Sequence, residues 1–189
     1  MRYVFLNGSI IGHKTENMLS ELQNQLEKQI SESDSIQLID LKGKKIPFSD
    51  GRNWLDNTGD TLEILKEVME ADVLIFGVPT YQASIPAPLK NIFDLLPEGA
   101  FYHKIVGFVV TAGSPKHYLV MEHQLKPILN FMKANIIPNY VFAHDSDFSG
   151  SILSSDDVSM RLSRYAEDIK LKGEYYQKQL EAQEGSYGF

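Results

Sequence analysis

The chain has 189 residues, 43% of them hydrophobic and 23% charged, with a net charge of -7 and no cysteine. That length supports one domain with a substantial core. The acidic balance argues against a nucleic-acid or membrane-surface partner, and the missing thiol excludes disulfides, thiol catalysis and cysteine-ligated clusters, leaving any redox role to a bound cofactor.

The opening MRYVFLNG enters strand-like sequence at once, with no apolar leader ahead of a small-residue cleavage site, so a cytoplasmic domain is expected. No apolar run approaches the roughly 18 residues that span a bilayer. After a buried-looking strand at 3–6, Met18, Leu19, Leu22, Leu26 and Ile30 recur at helical spacing. A second strand is expected at 36–41, then a loop at 43–59 rich in Gly, Pro, Asp and Asn. Asp60 reads as the N-cap of a helix whose stripe is Leu62, Leu65, Val68 and Met69.

DVLIFGV at 72–78 is apolar at nearly every position, as a parallel strand covered on both faces should be. A helix at 87–96 is entered through Pro86 and stopped near Pro97 and Gly99, with Lys90 and Asp94 placed to pair across one turn. A fourth strand follows at 104–110 and a fifth at 135–143, separated by a helical stretch at 116–133 that Pro127 either kinks or restarts. Ser154 and Asp157 fit a capping box for a last helix carrying Val158, Leu162, Tyr165 and Ile169, and the tail 184–189 is expected to fray beyond a single domain at 1–183.

Five βα units predict a doubly wound, three-layer α/β/α fold around a five-stranded parallel sheet, with right-handed crossovers and the flavodoxin-like order 2-1-3-4-5. Ligands in such sheets sit beyond the carboxyl ends of the strands, so the loops after strands one, three and four carry the chemistry.

The first loop, GSIIGHKT, fails both common nucleotide patterns. Gly8 and Gly12 are one residue too close for a P-loop, and His13 intrudes before Lys14 and Thr15. What remains is Gly8, Ser9, Thr15 and Asn17 at a helix N-terminus, which can hold a single phosphate on backbone N–H groups. An ordinary βα turn capped by Thr15 explains the same residues. After strand three, Pro79, Thr80, Tyr81, Gln82, Ala83 and Ser84 offer a stiff backbone, a flat aromatic face and hydrogen-bond donors for a planar ring. After strand four, Thr111, Gly113 and Ser114 allow close backbone approach, followed by His117 and Tyr118. One phosphate and one flat heterocycle describe FMN better than a nucleotide with a second phosphate. Phe48 and Trp54 either cap a pocket or make minor core contacts. His144, Asp145 and Asp147 invite a metal reading, but they lie within four residues and lack a distant partner, so no metal is expected.

The ordered runs GS…TEN, PTYQASIPAPLKNIFD, TAGS and HDSDF, spread over 3–148, resemble the NAD(P)H-dependent FMN reductases of flavodoxin-like fold, in particular the branch with FMN-dependent azoreductases. The resemblance implies FMN as cofactor and NADPH or NADH as donor. It implies that Ser9, His13, Thr15 and Asn17 hold the phosphate and that 79–84, Thr111, Gly113 and Ser114 flank the isoalloxazine. It also implies ping-pong transfer to a flat acceptor (a quinone, azo compound, nitroaromatic or free flavin) and a homodimer or homotetramer built on the 87–96 helix. Tyr81 and His117 are the candidate catalytic residues. Family members carry an arginine in the first loop where this chain has Ile10-Ile11-Gly12, so His13 or Lys14 is expected to supply that charge. A flavodoxin-like electron carrier, or a flavin-free binding domain on the same scaffold, is the alternative.

Overall fold

In the computed structural model, which describes the backbone of residues 1–187 and the side chains of 1–183, β1 (Arg2–Asn7) lies between β2 (Ser35–Asp40) and β3 (Val73–Pro79). β4 (Ile105–Ala112) continues the sheet, and β5 (Asn135–Ile136) and β6 (Val141–His144) share its far edge. Every pairing is parallel, in the order 2-1-3-4-5. The helices between are α1 (Lys14–Glu27), α2 (Gly59–Glu70), α3 (Ala87–Leu95), α4 (Val120–Phe131) and α5 (Asp156–Tyr187). A small antiparallel pair, β7 (Phe148–Ser149) and β8 (Ile152–Leu153), precedes α5.

Alternation along the strands builds two cores. Leu6, Phe76, Phe108 and Val110 meet Ile64 and Leu65 of α2, Leu89 and Ile92 of α3, and Leu125 of α4. Phe5, Ile75 and Val109 meet Leu19 and Leu22 of α1 and Val158 and Leu162 of α5. β3 and β4 are buried at every position because both faces are covered. Lys104 closes α2 from outside by donating Nζ to the carbonyls of Met69 at 2.7 Å and Ala71 at 2.5 Å, and its burial lowers the ammonium pKa.

Several boundaries differ from the sequence reading. Thr58, not Asp60, precedes α2, and Asp60 instead receives Lys44 Nζ at 2.8 Å. The buried stripe is accordingly Thr61, Ile64, Leu65 and Val68. α1 stops at Glu27, leaving Ile30 in the following turn. Pro127 lies inside α4 without restarting it. Ser155 rather than Ser154 caps α5, accepting the N–H of Val158 at 3.4 Å, while Ser154 Oγ donates to the carbonyl of Asp147. The α5 backbone is described through Tyr187, and the side chains of the tail 184–189 lie outside the described residues.

The fifth strand is broken by Pro138, which has no N–H for the ladder. β4 pairs with β5 at 105–106 and with β6 at 109–112, so Phe108 has no strand partner on that side. The fully buried Tyr165 hydroxyl accepts the Phe108 N–H at 3.1 Å instead. Gly107 makes room, since a Cβ there would lie 2.5 Å from that hydroxyl. Tyr165→Phe should therefore strand a buried donor and lower unfolding free energy by about 1–3 kcal/mol, read as a urea midpoint. An unchanged midpoint would remove Tyr165 from the sheet's hydrogen-bond network.

Candidate functional site

The carboxyl ends of three strands are laced together through buried Asn7. Its Nδ2 donates to Asp40 Oδ1 at 3.0 Å, and its Oδ1 accepts the N–H of Ser9 at 3.2 Å. The next N–H, of Gly8, reaches the carbonyl of Gly77 at 2.8 Å. A Cβ on Gly8 would sit 3.0 Å from that oxygen and 3.1 Å from Leu89 Cδ2, so only glycine lets the loop press onto β3. Gly12, at φ +73°, turns the chain into α1. Among the described residues no side chain caps the first turn of α1, which leaves N–H groups there for a ligand.

These loops enclose an open cleft of about 220 Å³ that brings together Ser9, His13, Thr15, Pro79, Thr80, Tyr81, Thr111 and Gly113. Thr15 Oγ1 and Thr111 Oγ1 bond at 2.6 Å, so Thr15 joins α1 to β4 rather than capping the helix. Ser9 Oγ donates to the carbonyl of Ile11 at 2.8 Å and lies 3.0 Å from the Tyr81 hydroxyl. Since the Ser9 proton is already engaged, the Tyr81 hydroxyl is the donor. Beside them Thr80 Oγ1 is buried and, among the described residues, has no hydrogen-bond partner. A buried hydroxyl left this way costs stability unless a ligand satisfies it.

The loop after β3 is held in an uncommon shape. Gln82 (φ 48°) and Ala83 (φ 58°) both adopt left-handed backbone, costing on the order of 1–2 kcal/mol each. Reciprocal backbone bonds between Tyr81 and Ser84, both 3.0 Å, hold the turn. Charges at the rim are paired: Lys14 Nζ donates to Asp145 Oδ1 at 2.8 Å and lies over the Phe148 ring, and His13 Nδ1 is 2.9 Å from Glu16 Oε2.

Other expected residues lie elsewhere or face away. Asn17 donates its amide to the carbonyl of Ser151 at 2.8 Å, and Ser84 Oγ to Gln124 Oε1 at 3.2 Å. Gln82 and Ala83 are exposed at the turn tip. Ser114 caps the 3₁₀ turn at 115–117, and His117 ends that turn outside the cleft. The cleft instead gains Ile11, Gly12, Lys14, Ala112, Asp145 and Ser151. Of these, Gly12 and Lys14 belong to the first loop already singled out, and Asp145 to the HDSDF run; Ile11, Ala112 and Ser151 carried no cue to ligand contact. Phe48 stands 81% exposed in a neighbouring cleft of about 310 Å³ with Ile10 and Pro88, whereas Trp54 packs partly buried against the core.

A family model described as NADPH-dependent FMN reductase matches residues 1–148. The chain belongs to that family. An NAD(P)H-dependent FAD/FMN reductase of Geobacillus thermodenitrificans is 36% identical over 170 residues, 89% of this chain and 91% of the relative. An FMN reductase (NADPH) of Pseudomonas aeruginosa is 35% identical over 104 residues, 55% of this chain and 56% of the relative. Among solved structures, an apo NADH:FMN oxidoreductase superposes with a TM-score of 0.74 at 24% identity, covering 90% of this chain and 89% of the other. An FMN-dependent NADH-azoreductase of Bacillus anthracis gives 0.64 at 13% identity, covering 88% and 98%. The chain is thus a flavodoxin-like FMN reductase using NAD(P)H.

The residues of the cleft fit such a cofactor: an uncapped helix start, open space beside Gly12 where a Cβ would meet no atom within 4 Å, and a Thr80 hydroxyl without a partner among the described residues. Thr80→Val should leave the flavin-free protein as stable or more so, and weaken FMN binding roughly 2- to 10-fold, the worth of one hydrogen bond. Thermal unfolding and calorimetric titration check both. Lower stability with unchanged FMN affinity would assign the hydroxyl a structural role.

Proposed function

We propose that the cleft at the carboxyl ends of β1, β3 and β4 holds FMN, its phosphate at the start of α1 and its ring against the 79–81 segment. The observation that carries this reading is the convergence of the uncapped α1 N-terminus and the unpartnered Thr80 hydroxyl on one cleft. FMN held there would supply the redox chemistry between NAD(P)H and a flat acceptor such as a quinone, azo compound, nitroaromatic or free flavin.

The chain's own part is orientation. The first-turn N–H groups and Thr15 bind the phosphate, Ser9, whose N–H and hydroxyl are engaged by Asn7 and Ile11, shapes the loop beside it, and the Tyr81–Ser84 turn presents a rigid edge. The Tyr81 hydroxyl is engaged by Ser9 and His117 lies outside the cleft, so neither is assigned proton transfer. Donor and acceptor use the same opening in turn, which implies ping-pong kinetics. The strain at Gln82 and Ala83 fits a loop shaped in advance for its ligand.

No helix among the described residues is long and apolar enough to cross a membrane, in keeping with a cytoplasmic enzyme. A groove of about 530 Å³ between α3 and α4, walled by Phe93, Leu96, Ile128 and the 65% exposed Phe131, supports a homodimer or homotetramer built through α3. Phe131→Glu should then yield a smaller species in sedimentation; an unchanged assembly would place the interface elsewhere.

The function is tested by visible absorption. FMN-loaded protein, cleared of free flavin, should bleach promptly on anaerobic NADPH or NADH. Bound flavin that stays oxidised with both donors would argue for an electron carrier instead. Tyr81→Ala should weaken FMN binding or slow acceptor turnover, and unchanged behaviour in both would remove Tyr81 from the site.

A further inference from the structure

We infer that Lys42, from the loop after β2, supplies the positive charge that holds the FMN phosphate in this chain, with His13 positioning it. The inference rests on the placement of the phosphate at the start of α1. The tip of the first loop, Ile10-Ile11-Gly12, carries no charge, and Ile11 is 72% exposed and apolar. The two basic residues that follow are already engaged. Lys14 is bound to Asp145 at 2.8 Å, and His13 to Glu16 at 2.9 Å. The Lys14 ammonium, paired with a carboxylate, adds little net attraction for an anion, and a neutral His13 ring adds none.

Lys42 arrives from a different strand. Its Nζ lies 3.4 Å from the carbonyl of Gly12 and 3.4 Å from His13 Nε2, both residues of the cleft wall. Among the described residues it forms no ion pair. Its backbone is anchored by the N–H to Asp40 Oδ1 at 2.9 Å, the same oxygen that accepts from Asn7. The clamp that shapes the phosphate loop therefore also sets where Lys42 begins.

His13 completes the arrangement through its tautomer. Facing the Glu16 carboxylate, Nδ1 carries the proton; Nε2 is then a lone pair directed at the Lys42 ammonium. One neutral form satisfies both contacts and holds the flexible lysine over Gly12. The resulting order, Glu16 to His13 to Lys42, presents ammonium donors to the loop while the carboxylate stays one residue removed.

The test compares FMN with riboflavin, which has the same ring and ribityl chain but no phosphate. Calorimetric titration of the full chain freed of flavin gives both affinities at low and high salt. Lys42→Met should weaken FMN binding about tenfold, as for one charge-assisted hydrogen bond at an exposed site. It should leave riboflavin affinity unchanged and flatten the salt dependence, and Lys42→Arg should retain most of the FMN preference. His13→Ala should lose part of that preference in the wild-type background and none further in Lys42→Met, as a positioning role requires. Full FMN preference in Lys42→Met overturns the proposal while leaving the cradle in place. A wild-type chain that binds FMN no better than riboflavin overturns the cradle, and the proposal with it.

Discussion

The side-chain amide of Asn7 is the contact on which the site depends. It is buried at the end of β1, an inner strand between β2 and β3, where the chain gives way to a loop with no regular hydrogen bonding of its own. By donating to Asp40 and accepting from Ser9 it converts the end of one strand into a junction of β1, β2 and the first loop. The Gly8 N–H to Gly77 bond adds β3 to the same junction. Leaving either half of a buried amide unsatisfied costs about 1–3 kcal/mol, so the loop has little freedom to open. A phosphate cradle made of backbone N–H groups needs that restraint, because its donors are worth most when already aimed.

The rest of the fold serves to keep the junction rigid. β3 and β4 are sealed on both faces, and the two cores hold α1 and α5 on one side and α2, α3 and α4 on the other. Where the sheet edge fails, at the break between β5 and β6, Tyr165 from α5 restores the missing acceptor. Irregularity is thus tolerated at the edge and in the loops but not in the centre. The left-handed pair Gln82–Ala83 is possible for the same reason: it hangs between β3, fully buried, and α3, whose Leu89 and Ile92 are fixed in the core.

The layer order was readable because the relevant information is local. Runs such as VLIFGV admit few structures, and strand ends fix which loops share an edge. Caps were less readable, because Ser154 and Ser155 are chemically alike and the choice is made by the turn back to Asp147. The cleft residues adjoining strand ends, Ser9, Pro79, Thr80 and Thr111, follow from topology alone. Ser114 looks like a ligand donor in sequence but accepts the N–H of Lys116, as small polar side chains at turns often do, and Asn17 is taken up by the Ser151 carbonyl 134 positions away. Lys14 meets Asp145 across 131 positions, and Lys42 meets His13 across 29; neither contact leaves a trace in local pattern.

A net charge of -7 does not exclude a phosphate from the proposed site, because range decides. At physiological ionic strength the field of distant carboxylates is screened within about 8 Å, so the overall sign matters less than what lies within one turn of Gly12. There Asp145 is opposed by the Lys14 ammonium, and Glu16 accepts from the His13 ring. Against that background the uncapped end of α1 contributes partial positive charge, and the ammonium of Lys42 is not offset by a carboxylate. On the inference drawn for Lys42, the pairing of Lys14 with Asp145 leaves the helix start and the β2 loop as the source of positive charge at the proposed site.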